Sequence, residues 1–198
     1  MNNIKCRPVT LDDNLSQIAR LIFQSNTEMH RSWRPTEKHF VAFIEPWLCV
    51  EGFLYHYKNL CIATECNDRF PLAIISGLDS QPKPHFSYET YFDDKGSEFV
   101  VNEYIKDILS VRSFIPKEET LITALCVDPA VRSNGIGQEL LDYYMGRMQK
   151  RGTKTFRLDC ATDNHSMVQL CEKYGFRRIA ERINRFSPED ANIATYTI

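Results

Sequence analysis

The chain has 198 residues, 43% of them hydrophobic and 25% charged, with a formal net charge of −2. Those proportions describe one globular domain, or one domain with an insertion, holding enough apolar material for a core. The near-neutral charge excludes the basic profile expected of a nucleic-acid protein.

In chain order, "IKCRPVT" predicts a short first strand. Asp12 or Asp13 is positioned to cap a helix with Leu15, Ile18, Ala19, Ile22 and Phe23 on one stripe. Thr36 follows Pro35 and can cap a second helix faced by Phe40, Phe43 and Ile44, which Pro46 breaks or converts into a new segment. "KNLCIATE" and "PLAIISGL" are β-rich runs around "CNDRF", a hairpin pattern. From Asp79 to about Glu98, Pro, Gly, Ser and acids signal a loop or insertion. "EFVVNEYIKDILSVRSF" then carries Val101, Tyr104, Ile105, Ile108 and Leu109 at helical spacing. "ETLITALCV" is strongly β-like. A helix from about Gly135 to Lys150 ends at Gly152, "KTFRLDCA" is another strand, and a helix from about Asn164 to Tyr174 ends at Gly175. "FRRIAERINRF" and "IATYTI" close the sheet. Strands alternating with helices in the second half imply local parallel pairing, the hairpins antiparallel pairing, hence a mixed sheet.

Seven cysteines, an odd number with no C-x-x-C pair, suggest neither a disulfide framework nor a zinc site. Most lie in apolar runs, where the thiol acts as a small hydrophobe in a reducing compartment. "MNNIKCRPVTLDDN" has no apolar signal-peptide core. No run approaches the ~20 apolar residues of a membrane helix. A soluble, cytoplasmic protein without membrane, nucleic-acid or metal partners is expected.

The chemistry concentrates in "LCVDPAVRSNGIGQELL". Gly135 and Gly137 open a helix directly after a strand. A helix N-terminus presents unsatisfied N–H groups and partial positive charge, and glycine lets an anion approach the backbone. A P-loop is excluded because Gln138, not Lys, follows Gly137. A dinucleotide fingerprint is excluded because "GIGQEL" lacks the third glycine.

"VDPAVRSNGIGQELL" instead resembles the R-x-x-G-x-G acyl-CoA signature of the GNAT N-acetyltransferase family. The second block of that family, N-x-x-A-x-x-L-Y-x-x-x-G-F, is matched by "NHSMVQLCEKYGF" at Asn164, Leu170, Gly175 and Phe176. The resemblance covers roughly residues 119 to 180. It implies a mixed, mostly antiparallel α/β sheet of about seven strands flanked by helices and splayed between strands 4 and 5. The chain is then one acetyltransferase domain over 1–198, with 79–117 as a helical insertion between strands 3 and 4.

By the same resemblance, acetyl-CoA is the co-substrate. Its pyrophosphate maps onto Arg132, Ser133, Asn134, Gly135, Ile136, Gly137 and Gln138. Its pantetheine arm maps onto the strand edge at Leu125, Cys126 and Val127, where a backbone N–H polarises the thioester carbonyl. The Cys126 side chain itself reads as packing rather than as an acyl carrier. Asn164 either binds pantetheine amides, caps its helix, or does both. Cys171 stands where the family commonly has a Tyr acid, and core packing is its alternative. The family's glutamate position aligns with Leu121, leaving Glu119 and Asp159 as candidate bases. Solvated surface charge is the preferred alternative for each, with a water-mediated base in their place.

The implied reaction is acetyl transfer to a primary amine by direct attack in a ternary complex, with a small molecule or peptide as acceptor. The rival is a non-catalytic acyl-CoA-binding module of the same fold, suggested by Cys171 and Leu121. Residues 79–120 hold nine acidic and five basic residues, which favours a cationic amine. Glu89, Asp93 and Asp94 belong to that loop. The apolar face of its helix could dock on the body of the protein or on a second subunit, giving a homodimer.

Overall fold

The computed structural model describes residues 4–25, 36–66, 68–79, 115–183 and 192–198. Strands β1 (Ile4–Pro8), β2 (Leu60–Glu65), β3 (Ala73–Asp79), β4 (Glu119–Val127), β5 (Thr155–Ala161), β6 (Arg177–Arg182) and β7 (Ile193–Thr197) form one sheet. Its order is β1-β2-β3-β4-β5-β7-β6. Among the described strands, only β4 and β5 pair in parallel; the other neighbours are antiparallel. The described helices are α1 (Leu15–Ser25), α2 (Glu37–Trp47), α3 (Ile136–Gln149) and α4 (His165–Lys173). This is the mixed, mostly antiparallel architecture expected from the sequence. The predicted helix at 98–114, with Glu89, Asp93 and Asp94, lies outside the described residues.

Strand alternation sends side chains to two cores. Ile62, Ile74 and Leu121 join Ile18, Leu21, Ile22, Phe40 and Ile44 under α1 and α2. Cys61, Ala63, Ile75, Ile122, Phe156 and Leu158 join Leu140, Leu141, Tyr144 and Met148 of α3, with Cys171 of α4. Two expectations change. Asn14 caps α1, its Oδ1 accepting Gln17 N–H at 2.9 Å, because Asp13 is taken up by Arg7. Both terminal guanidinium nitrogens donate to the Asp13 carboxylate, at 2.6 and 2.8 Å. Pro46 opens no new segment; it occupies the last turn of α2, which ends one residue later. Thr36 does cap α2, accepting His39 N–H at 3.3 Å.

The feature that shapes the site is a bulge. Ser76 pairs with Ala124 but Gly77 pairs with Ile122, which leaves Thr123 as the extra residue in β4. A bulge bends its strand. Pairing of β4 with β5 stops at Ile122↔Leu158, and beyond it the strands part. The sheet is splayed from Thr123 onward on β4 and from Asp159 onward on β5.

Candidate active site

Past the splay, β4 continues to Val127 with one edge open. Asp128 N–H donates to Leu72 O on the β3 side at 2.8 Å. Peptide groups alternate along a strand, so the N–H and C=O of Leu125 and Val127 turn toward the gap. Arg132 Nε reaches Val127 O there at 3.0 Å. The side chain of Cys126 points into the α1 core, 6% exposed. Burial, against the opposing pull of Arg132, pushes its thiol up to about 11. It is therefore a neutral packing group at physiological pH, not a ready nucleophile.

The chain leaves β4 through a short 3-10 turn, Pro129–Val131, capped by Asp128 Oδ1, which accepts Ala130 N–H at 3.0 Å. Asn134 Nδ2 donates back to Val131 O at 3.1 Å. Ser133 takes a left-handed backbone, φ +66°, as does Gly135 at +79°. A side-chain residue in that region costs about 1 kcal/mol, and such strain gathers at functional turns. Gly135 is the N-cap of α3 and has open space where a Cβ would stand. Gly135 O accepts the N–H groups of Gln138 and Glu139. Helix geometry leaves those of Ile136 and Gly137 without an intrahelical acceptor. At Gly137 a Cβ would come 3.2 Å from Val127 Cγ2, so the start of α3 sits tight against the end of β4. A helix start with free N–H groups and an open strand edge thereby adjoin, and free N–H groups at a helix start favour anions.

Asn164 Oδ1 accepts Met167 N–H at 3.2 Å, capping α4, and its side chain is exposed at the far side of the gap from β4. Cys171 is 1% exposed in the α3–α4 core. Hydrogen bonding to Cys160 and burial raise it well above the ordinary thiol range. Glu119 lies at the closed end of β4, six residues before Leu125, or roughly 20 Å at about 3.3 Å per residue. It pairs with Arg157 at 3.1 Å. Asp159 is the first β5 residue past the end of the β4–β5 ladder. Its neighbours Leu158 and Cys160 face the α3–α4 core, so its carboxylate faces the opposite side of the sheet. There Oδ1 accepts Thr195 Oγ1 at 2.7 Å and Oδ2 meets Arg182 Nη2 at 2.9 Å.

The geometry gathers residues 125–138, Asn164 and Asp159 around the splay; Glu119 and Cys171 stand apart from it, in an ion pair and in the core. Sequence reasoning missed Arg182 and Thr195 as partners of Asp159; the alternation of "IATYTI" held the signal for Thr195 only. It also gives Tyr174 no role beyond the end of its helix. Its hydroxyl donates to Gln138 O at 2.8 Å and ties the end of α4 to the first turn of α3. Among the described residues no group of His, Cys, Asp and Glu could hold a metal ion.

A family model described as "Acetyltransferase (GNAT) family" matches residues 65–176. The chain is 24% identical over 121 residues to the [ribosomal protein bS18]-alanine N-acetyltransferase of Escherichia coli strain K12, covering 61% of this chain and 74% of that protein. In fold it is similar to an N-acetyltransferase from Staphylococcus aureus Mu50, with TM-score 0.67 and 13% identity over 98% of this chain and 100% of that one. It is also similar to a chain of the NatC complex bound to Gag peptide and CoA, with TM-score 0.59 and 15% identity over 99% and 98%.

Proposed function

Because this chain belongs to the GNAT acetyltransferase family and is an N-acetyltransferase, we propose that it moves the acetyl group of acetyl-CoA to a primary amine by direct attack. The observation that carries the proposal is the continuity of the open β4 edge with the Gly135 helix start. The diphosphate sits on the amides of residues 132–138. The pantetheine arm lies along Leu125–Val127 and against Asn164. The Leu125 N–H, turned into the gap, polarises the thioester carbonyl. A neutral amine held beside the thioester needs no covalent intermediate, and positioning supplies much of the rate. The amine nitrogen bonds to the carbonyl carbon, the C–S bond breaks, and the amine proton passes to water or to Asp159. The CoA thiolate is a stable leaving group, so Cys171 is not required as acid, and Glu119 serves the β4–β5 ladder.

The acceptor enters on the sheet face bearing Asp159, Thr195 and Arg182, opposite α4. Residues 1–198 act as one domain with 79–117 inserted between β3 and β4. Seven free thiols favour a reducing, cytoplasmic setting, and no described helix is long and apolar enough to cross a membrane.

The test is CoA thiol release from acetyl-CoA across a panel of primary amines, including short peptides with free N-termini. Amine-dependent release is expected, with Cys171→Ala keeping more than a tenth of the rate. A larger loss exceeds about 1.4 kcal/mol of transition-state stabilisation and would return Cys171 to the role of acid. Absence of release with every amine would sink the proposed reaction.

A further inference from the structure

Gln17 is a buried polar side chain with no evident duty in the α1 stripe: it is 4% exposed on a helix otherwise packed by Ile18, Leu21 and Ile22. Its Nε2 donates to Pro71 O at 3.3 Å and to Asp128 Oδ2 at 3.1 Å. Asp128 is the residue at which β4 ends and the 3-10 turn toward Gly135 begins. Its other carboxylate oxygen caps that turn at Ala130 N–H, its own N–H is fixed by Leu72 O, and its C=O accepts Val131 N–H at 3.0 Å. Every polar group of Asp128 is thus engaged, and Gln17 holds the one oxygen that the turn does not use. An amide paired to a partly buried carboxylate is a charge-assisted bond, and losing its donor frees that oxygen from the geometry the amide imposes.

We infer that Gln17 is a positioning residue for CoA binding. Acting from the opposite side of the sheet through Asp128, it sets the angle at which the Pro129–Arg132 turn delivers Gly135 and the start of α3 to the diphosphate. The inference rests on the proposed seating of acetyl-CoA at that turn. It extends the site to a residue on α1 outside the family's glycine-turn motif. A purely structural role predicts a lower melting temperature alone. A positioning role predicts a change in cofactor affinity at temperatures where the fold is intact.

The experiment is calorimetric titration of acetyl-CoA at 20 °C into the wild type, Gln17→Met, Asp128→Ala and the double variant, with kcat and the KM for amine measured at saturating acetyl-CoA. Gln17→Met keeps the side-chain length and loses the donor. We expect it to raise the Kd for acetyl-CoA about fivefold while kcat and the amine KM stay within twofold. The double variant is expected to bind no worse than Asp128→Ala alone, since residues acting through one contact are not additive. Should Gln17→Met fold poorly, Gln17→Asn, polar but too short to reach Asp128, replaces it with the same expected result. An unchanged Kd, or fully additive losses, overturns the inference while leaving the cofactor site intact. A wild-type protein that does not bind acetyl-CoA overturns both.

Discussion

Replacing Arg7 with Met should lower the stability of the protein by about 3 kcal/mol, the lower end of what breaking a buried pair costs. The Asp13 side chain is fully buried, and Arg7 retains 21% exposure. Burial alone would raise the Asp13 carboxyl. The Arg7 guanidinium and the N–H and hydroxyl of Thr10 outweigh it and hold the group below its usual range. Without Arg7 the carboxylate keeps, among the described residues, the Thr10 N–H and hydroxyl, at 2.7 and 3.1 Å. For a chain of this size the loss corresponds to roughly 6–12 °C in Tm. The pH dependence gives a second check. In the wild type the depressed folded-state value contributes stability above the unfolded value of about 3.9, and that stability is lost as pH falls through the folded value. In Arg7→Met the Arg7 contributions are gone and the folded value rises, so protonation relieves more of the penalty. The gap in Tm between the two proteins should therefore narrow as pH drops from 7 toward 4. A Tm within 2 °C of wild type at pH 7 would remove this pair from the account of how β1 and α1 are joined.

Gly77→Ala separates packing from propensity by its sign. In a strand, Ala for Gly is expected to stabilise by 0.5 to about 1 kcal/mol through backbone entropy. Here a Cβ would meet Tyr144 Oη at 2.5 Å and Leu121 O at 2.8 Å. Tyr144 is 1% exposed and Leu121 O belongs to the neighbouring strand, so neither yields cheaply. Overpacking of this kind costs about 1–3 kcal/mol, and with backbone involved the expected loss is near 3. Adding Tyr144→Phe removes the nearer clash and should recover part of the loss. Since Gly77 lies opposite the Thr123 bulge, Gly77→Ala should also weaken acetyl-CoA binding by disturbing the bend that opens the gap. A rise in Tm would show that β3 and β4 are less tightly apposed than described.

The parts of the fold written in local pattern were legible in the sequence. "ETLITALCV" gave β4 to the residue, and Gly135 and Asn164 marked the starts of α3 and α4. What was hidden depends on tertiary contacts. Asp13 reads as a cap because its place before the helix does not show that Arg7, six residues earlier on β1, folds back onto its carboxylate. The Thr123 bulge leaves no composition signal, yet the β4–β5 ladder ends beside it, at Ile122↔Leu158. The motif position of Cys171 leaves acid and core packing both open; only the packing of α4 sets it beside Cys160. Gln17 reads as an ordinary polar residue of α1, and its partner Asp128 is 111 positions away. Glu119 and Asp159 looked alike as isolated carboxylates. The register of β4 against β5 sets one at the closed end and the other at the mouth of the gap.

The central claim is that diphosphate rests on the backbone at Gly135. The direct test is titration calorimetry of acetyl-CoA into Gly135→Asp and Gly135→Asn, with the wild type alongside. Asp and Asn are similar in size and both tolerate a left-handed backbone, and the space at that Cβ is open. The two variants should therefore fold alike, with apo Tm values within about 2 °C, and differ at this position only in charge. The account predicts that Gly135→Asp binds acetyl-CoA at least tenfold more weakly than Gly135→Asn, about 1.4 kcal/mol, with a correspondingly smaller ligand-induced rise in Tm. Equal affinity in the two variants would contradict it.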